Sequence, residues 1–100
     1  MPKISLTVPH ALGQEKATDR LKTLIEHMRS SQQGRMGEVQ ESWEGNVLKF
    51  AFSTFGMKMQ GETAVNAADV HMDLEIPFAA MMFKGKIEGE MREQLERILG

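Results

Sequence analysis

The sequence predicts an α+β domain in the order β-α-β-β-β-β-α: a single antiparallel sheet of about five strands, covered on one face by two helices. Three observations carry this reading. An alternating segment opens the chain, a 3.6-residue period follows it, and alternation then returns between short turn sequences before a final helical stretch. A sheet with one apolar and one polar face needs helices on the apolar side only.

Each element has its own signal. In residues 3–8, KISLTV, Ile4, Leu6 and Val8 alternate with Lys3, Ser5 and Thr7, and Pro9 closes the strand. From residue 13 to residue 33 the apolar positions Ala17, Leu21, Leu24, Ile25 and Met28 share one stripe. Lys16, Asp19, Arg20, Thr23 and His27 face outward, and Gly34 is the expected helix stop. Val39 and Trp43 then alternate up to EGNV, whose Gly45-Asn46 pair suits a two-residue hairpin with positive φ at its first position. That turn sets Trp43 opposite Leu48 and Val39 opposite Phe52. Leu48, Phe50 and Phe52 point inward, and Val47, Lys49, Ala51 and Ser53 outward. A second turn at Phe55-Gly56 leads into MKMQGETAV, with Met57, Met59, Thr63 and Val65 on the inner face. Gly61 falls near Phe50, whose ring is placed to cover the bare backbone. NAAD makes the third turn, into a strand with Val70, Met72, Leu74 and Ile76 inward and His71, Asp73 and Glu75 outward.

Pro77 ends that strand and suits the first position of a helix, where its missing N–H costs nothing. The helix is expected to run to residue 99. At 100° per residue, Ala80, Phe83, Ile87, Met91, Leu95 and Ile98 form one core stripe. Phe78, Met82, Gly85 and Gly89 lie opposite, with Met81 and Leu99 on a flank. The first two turns are therefore apolar all round and need cover beyond the sheet: the first helix or a loop, a second copy, a lipid-like ligand or an apolar surface. Methionine favours adaptable contact over a rigid pocket. Phe78, Met81, Met82, Gly85 and Gly89 are the candidate binding residues. Two glycines inside a helix cost about 1 kcal/mol each against alanine, which hints at a packing role for that bare face.

Bulk properties narrow the function. One hundred residues fit a single domain, residues 1–100, with little room for a deep active site. A net charge of -2 argues against nucleic-acid binding. With no cysteine, the chain has no disulfides, thiolate catalysis or zinc ribbons. Its start, MPKISLTVPH, lacks the apolar core of a signal peptide. The longest apolar run, residues 76–83, is far short of the ~20 residues of a membrane span. A cytoplasmic protein without cofactor or metal is expected.

Candidate chemistry is sparse. His71, Asp73 and Glu75 share one strand face, but a metal site wants a further ligand from another element, and the plain reading is a solvated sheet face. His10 is expected to serve helix entry, and His27 to be exposed. Glu41 falls on the inner face by strict alternation; it is either a buried acid with a raised pKa or a residue at a bulge or the sheet rim, and the rim explains it more simply. GKIEG matches the small-residue motif of membrane helices, but Lys86 and Glu88 inside it rule that meaning out.

KISLTVPHALGQEKATDRL, ESWEGNVLKFAFSTFG and IPFAAMMFKGKIEGEMREQLERIL together resemble the polyhydroxyalkanoic acid system family, small bacterial proteins also labelled granule-associated. The likeness spans nearly the whole chain and is most specific over residues 77–88. It implies a bacterial protein linked to storage-polyester metabolism, and it brings no catalytic residues. The element order also resembles a shortened helix-grip domain, in which a C-terminal helix lies over a curved sheet. The expected function is thus a non-enzymatic accessory protein of polyhydroxyalkanoate metabolism, touching a granule, a granule protein or a second copy of itself through Phe78, Met81 and Met82. The alternative is a small carrier holding an acyl or hydroxyacyl ligand between helix and sheet. An enzyme would have to use Glu41, or His71 with Asp73.

Overall fold

The computed structural model describes residues 2–31, 39–54 and 56–100. The expected helix stop at Gly34 and the turn residue Phe55 lie outside the described residues. The elements are β1 (Lys3–Pro9), α1 (Gln14–Ser31), β2 (Gln40–Glu44), β3 (Val47–Thr54), β4 (Met57–Val65), β5 (Asp69–Glu75), a 3-10 segment (Phe78–Phe83) and α2 (Lys84–Leu99). The five strands form one antiparallel sheet in the order β1-β5-β4-β3-β2. Strands β2 to β5 make a meander, and β1 closes it by pairing with β5. This is the α+β architecture the sequence predicts.

Turn chemistry sets the registers. Gly45, at φ 61°, opens the Gly45-Asn46 turn, so Glu44 pairs with Val47 and Trp43 with Leu48. Gly56, at φ 74°, serves the next turn, between Thr54 and Met57. In the third, Asn66 donates its N–H to the Asp69 carbonyl and its side-chain amide to the Asp69 carboxylate, both at 2.8 Å. His10 takes the helix-entry role expected of it. Its Nδ1 accepts the Leu12 N–H at 3.2 Å, while Nε2 lies 3.0 Å from the Asn66 carbonyl.

Gly61 sits opposite Phe50, as the hairpin arithmetic predicts. A Cβ at Gly61 would overlap the Asp73 carbonyl oxygen and lie 3.1 Å from the Phe50 ring. No other residue fits where these strands press together.

Burial follows the alternation closely. Ile4, Leu6 and Val8 from β1, Leu48 from β3, Met59 and Val65 from β4, and Val70, Met72 and Leu74 from β5 are all buried. The helices close over them. Ala17 and Leu21 of α1, and Leu95 and Leu99 of α2, complete the core, with Leu24, Ile25, Ile87, Met91 and Ile98 packed at its margin. α2 packs against β1 and α1. α1 also reaches the far edge, where Lys22 Nζ lies 5.2 Å from the centre of the Trp43 ring.

Pro9 closes β1 as its last paired residue, opposite Asp69; an edge strand tolerates the missing N–H. Two expectations need correction. Pro77 precedes the helical residues, since its ψ of 159° is extended. The single helix expected up to residue 99 is two segments. Residues 78–83 wind as a 3-10 helix, and Phe83 breaks the path at φ -105°, ψ 9° before α2 begins. The 100° stripe drawn through Ala80 and Phe83 therefore fails at its front end. Ala80 is fully buried, but Phe83 is 52% exposed and not core.

Candidate functional site

Among the described residues, the large apolar side chains most exposed to water all lie in the segment between β5 and α2. Two anchors hold it: Ile76, wholly buried, whose N–H bonds the Pro2 carbonyl, and Ala80, also wholly buried, whose N–H bonds the Pro77 carbonyl. With only the small Ala80 reaching the core, the larger neighbours turn outward. Phe78 is 74% exposed, Met81 47%, Met82 91% and Phe83 52%. Their exposure answers the question of cover left by the sequence: neither α1 nor a described loop hides them. Taking roughly 200 Å² per whole side chain, the four present on the order of 500 Å². The largest patch of a typical monomer is about 300–600 Å² and often functional.

Gly85 and Gly89 lie just beyond, in α2. A Cβ at either would meet nothing within 4 Å, so among the described residues no backbone packs on the bare face. Of the five residues singled out by sequence, Phe78, Met81 and Met82 form one exposed cluster. The glycines extend the same segment into the helix without contacts. Phe83 belongs to the cluster too and was missed, because a uniform helical period placed it inside.

The opposite face of the sheet carries the polar rows. Ser5 donates to the Asp73 carboxylate at 2.5 Å, and Thr7 Oγ1 lies 2.7 Å from His71 Nδ1. His71 Nε2 stands 3.3 Å from Asp73. The Ser5 hydroxyl holds the Asp73 carboxyl below the ordinary value of 3.8; partial burial opposes this, and Lys3 and His71 assist it. Hydroxyl, imidazole and carboxylate do follow one another here in the sequence of a nucleophile, its base and an orienting acid. They stand on a surface face, as rungs joining β1 to β5. Ser5 and Thr7 were not singled out by sequence because only the β1–β5 register brings them to Asp73 and His71. Among the described residues no group of three or more His, Asp or Glu is placed to hold a metal ion. A cleft of about 500 Å³ opens on the sheet, lined by Gln40, Ser42, Lys49, Ala51, Gln60 and Glu62 among others.

Glu41 sits at the rim, as the simpler reading had it. It is half-buried on the edge strand β2 and accepts the Trp43 indole N–H at 3.3 Å. Among the described residues Thr63 is the one buried polar residue: it lies between Leu48 and Met72, and its hydroxyl finds no hydrogen-bond partner there. Among those residues no helix is long and apolar enough to cross a membrane.

Two solved structures are similar to this chain in outline. A Thermus thermophilus protein shares 11% identity at a TM-score of 0.40, over 98% of this chain and 94% of its own. The Streptomyces Zhui aromatase/cyclase shares 15% identity at a TM-score of 0.34, over 97% of this chain and 83% of its own. No curated protein matches at a significant level. The sequence itself matches, over residues 4–99, the family described as "Putative polyhydroxyalkanoic acid system protein", and the chain belongs to that family.

Proposed function

We propose that the protein is a non-enzymatic accessory factor of bacterial polyhydroxyalkanoate metabolism that acts by apolar contact with the granule surface. The observation that carries this is the exposure of Phe78 and Met82, at 74% and 91%, on a segment anchored from beneath. Holding large apolar groups in water opposes folding into a soluble monomer, so a covering surface is the use that explains them. Membership of the family directs the reading toward storage polyester. The working location is the cytoplasm, at the granule.

Granule fractionation tests this. Cells expressing wild type should retain the protein on isolated granules, and the double variant Phe78→Glu, Met82→Glu should wash off. Equal retention of the two, with the variant folded by circular dichroism, would sink the proposal.

A second reading, a carrier for an acyl or hydroxyacyl chain, draws on Thr63 alone. Its unpartnered hydroxyl faces the layer between sheet and helices, where it would bond a ligand carbonyl. Under this reading Thr63→Val weakens binding of a hydroxyacyl thioester in a titration. Under the contact reading the same variant binds nothing more or less and is stabler by about 1 kcal/mol, since an isosteric methyl replaces an unsatisfied group.

A further inference from the structure

We infer that the apolar segment docks on an anionic lipid interface, with Lys84 and Lys86 reading its charge; this rests on the granule-contact reading and specifies the surface. The argument starts from charge. The chain carries 14 acidic and 12 basic residues, net -2. Yet the twelve residues from Ile76 to Ile87 contain two lysines and no acid. Both lysines are exposed, and neither has an ion pair among the described residues.

Helix physics sharpens the point. Lys84 and Lys86 occupy the first turn of α2, the end where a helix favours acids over cations. No acid stands in the first turn of either the 3-10 segment or α2. Folding stability alone would select the opposite charge there. Their placement is explained by something outside the chain that is negative and lies against Phe78, Met81, Met82 and Phe83. Lys84 directly follows the cluster, and Lys86 stands within one 5.4 Å helical turn of it. Lysine stems lie along apolar surface while the ammonium groups stay in the headgroup layer.

The charge beside the patch separates this occupant from a second copy of the chain. Two copies meeting through the patch would bring four lysines together, with no acid in residues 76–87 to answer them. A lipid interface needs no matching shape, accepts flexible methionines, and answers the lysines with anionic headgroups.

Vesicle sedimentation decides the matter, using the full chain. The probes are vesicles of phosphatidylcholine alone and of phosphatidylcholine with about a third phosphatidylglycerol, a composition chosen to supply surface charge. Wild type should sediment with the anionic vesicles at least tenfold more strongly than with neutral ones, and lose most of that advantage at ~1 M salt. Lys84→Glu, Lys86→Glu should lose tenfold or more on anionic vesicles, and Phe78→Glu, Met82→Glu should lose binding to both. The lysine variant is expected to melt no lower than wild type, since glutamates suit the helix start, so misfolding does not account for its loss.

Equal binding to neutral and anionic vesicles overturns the inference and leaves apolar contact standing. So does a wild type that ignores vesicles yet stays on granules. A dimer in sedimentation velocity that Phe78→Glu dissolves overturns both readings.

Discussion

The stretch from Phe78 to Leu99 contains two regions whose large apolar side chains meet opposite fates. In the 3-10 segment four large apolar side chains face water, and only Ala80 is buried. In α2 the apolar residues Ile87, Met91, Leu95, Ile98 and Leu99 all pack on or into the core. The difference lies in both composition and path: the 3-10 segment is apolar on every side, whereas α2 is apolar along one stripe only. α2 repeats its apolar positions at three- and four-residue steps along one line facing β1, so a straight helix buries them together. The shorter segment is tethered by Ile76 and Ala80 and winds too tightly to continue that line. Its side chains are left over by the geometry and stay in water.

The largest expected effect tests the contrast directly, with two residues the 100° stripe had placed together. Leu95→Ala should cost about 3 kcal/mol, because it removes a fully buried side chain from beneath the helix. Phe83→Ala should cost no more than about 1 kcal/mol, since roughly half of that side chain is already in water. Chemical denaturation measures both, and a Phe83→Ala cost near that of Leu95→Ala would erase the distinction between the regions.

Most of the fold was legible for the same reason that α2 was. Alternation in β1, β3 and β5 and the turn residues Gly45 and Gly56 encode strand registers within a few residues of one another, and Gly61 opposite Phe50 follows by counting. The apolar patch was partly legible: Phe78, Met81 and Met82 were recognised as surplus to the stripe. Phe83 was not, because hydrophobic periodicity carries no mark for a change from 3.6 to 3 residues per turn. The Ser5–Asp73 and Thr7–His71 pairs join residues 68 and 64 positions apart, and Thr63's lack of a partner depends on what the helices bring over it. Such facts belong to the assembled sheet and its cover, not to any local window.

The glycines of α2 offer the next test. Alanine at Gly85 or Gly89 meets open space, so each substitution should stabilise the protein by about 1 kcal/mol through helix propensity. A rise in melting temperature of about 4–8 °C per substitution would follow for a domain of this size. If the glycines instead seat a partner, the variants melt higher and yet lose granule retention. That pairing of results would extend the contact surface into α2.

A smaller effect is expected at the far end of the helix. α2 is secured at its C-terminus, where the Arg20 guanidinium donates to the Ile98 carbonyl at 3.0 Å and Gly100 N–H to Glu96 at 2.9 Å. Its N-terminus has no side-chain cap at all. Arg20→Met should therefore cost about 0.5–1 kcal/mol, the worth of a cation at a helix C-terminus. Hydrogen exchange should show the last turn of α2 opening more often, with the 3-10 segment unaffected. Equal loosening at both ends would mean that the two regions form a single cooperative unit.

The smallest expected change in stability is the most informative. Phe78→Glu, Met82→Glu alters two of the largest apolar side chains in the region, and in a core such a double change would unfold the protein. Here both side chains are already mostly in water, so unfolding gains them little, and the stability difference should stay within about 0.5 kcal/mol. Solubility should improve, because the exposed apolar area falls and the net charge moves from -2 to -4, each glutamate adding one negative charge. A loss above about 2 kcal/mol would mean that these side chains have intramolecular partners and that the segment is simply core. An unchanged melting curve alongside lost granule retention would separate what holds this chain together from what it touches.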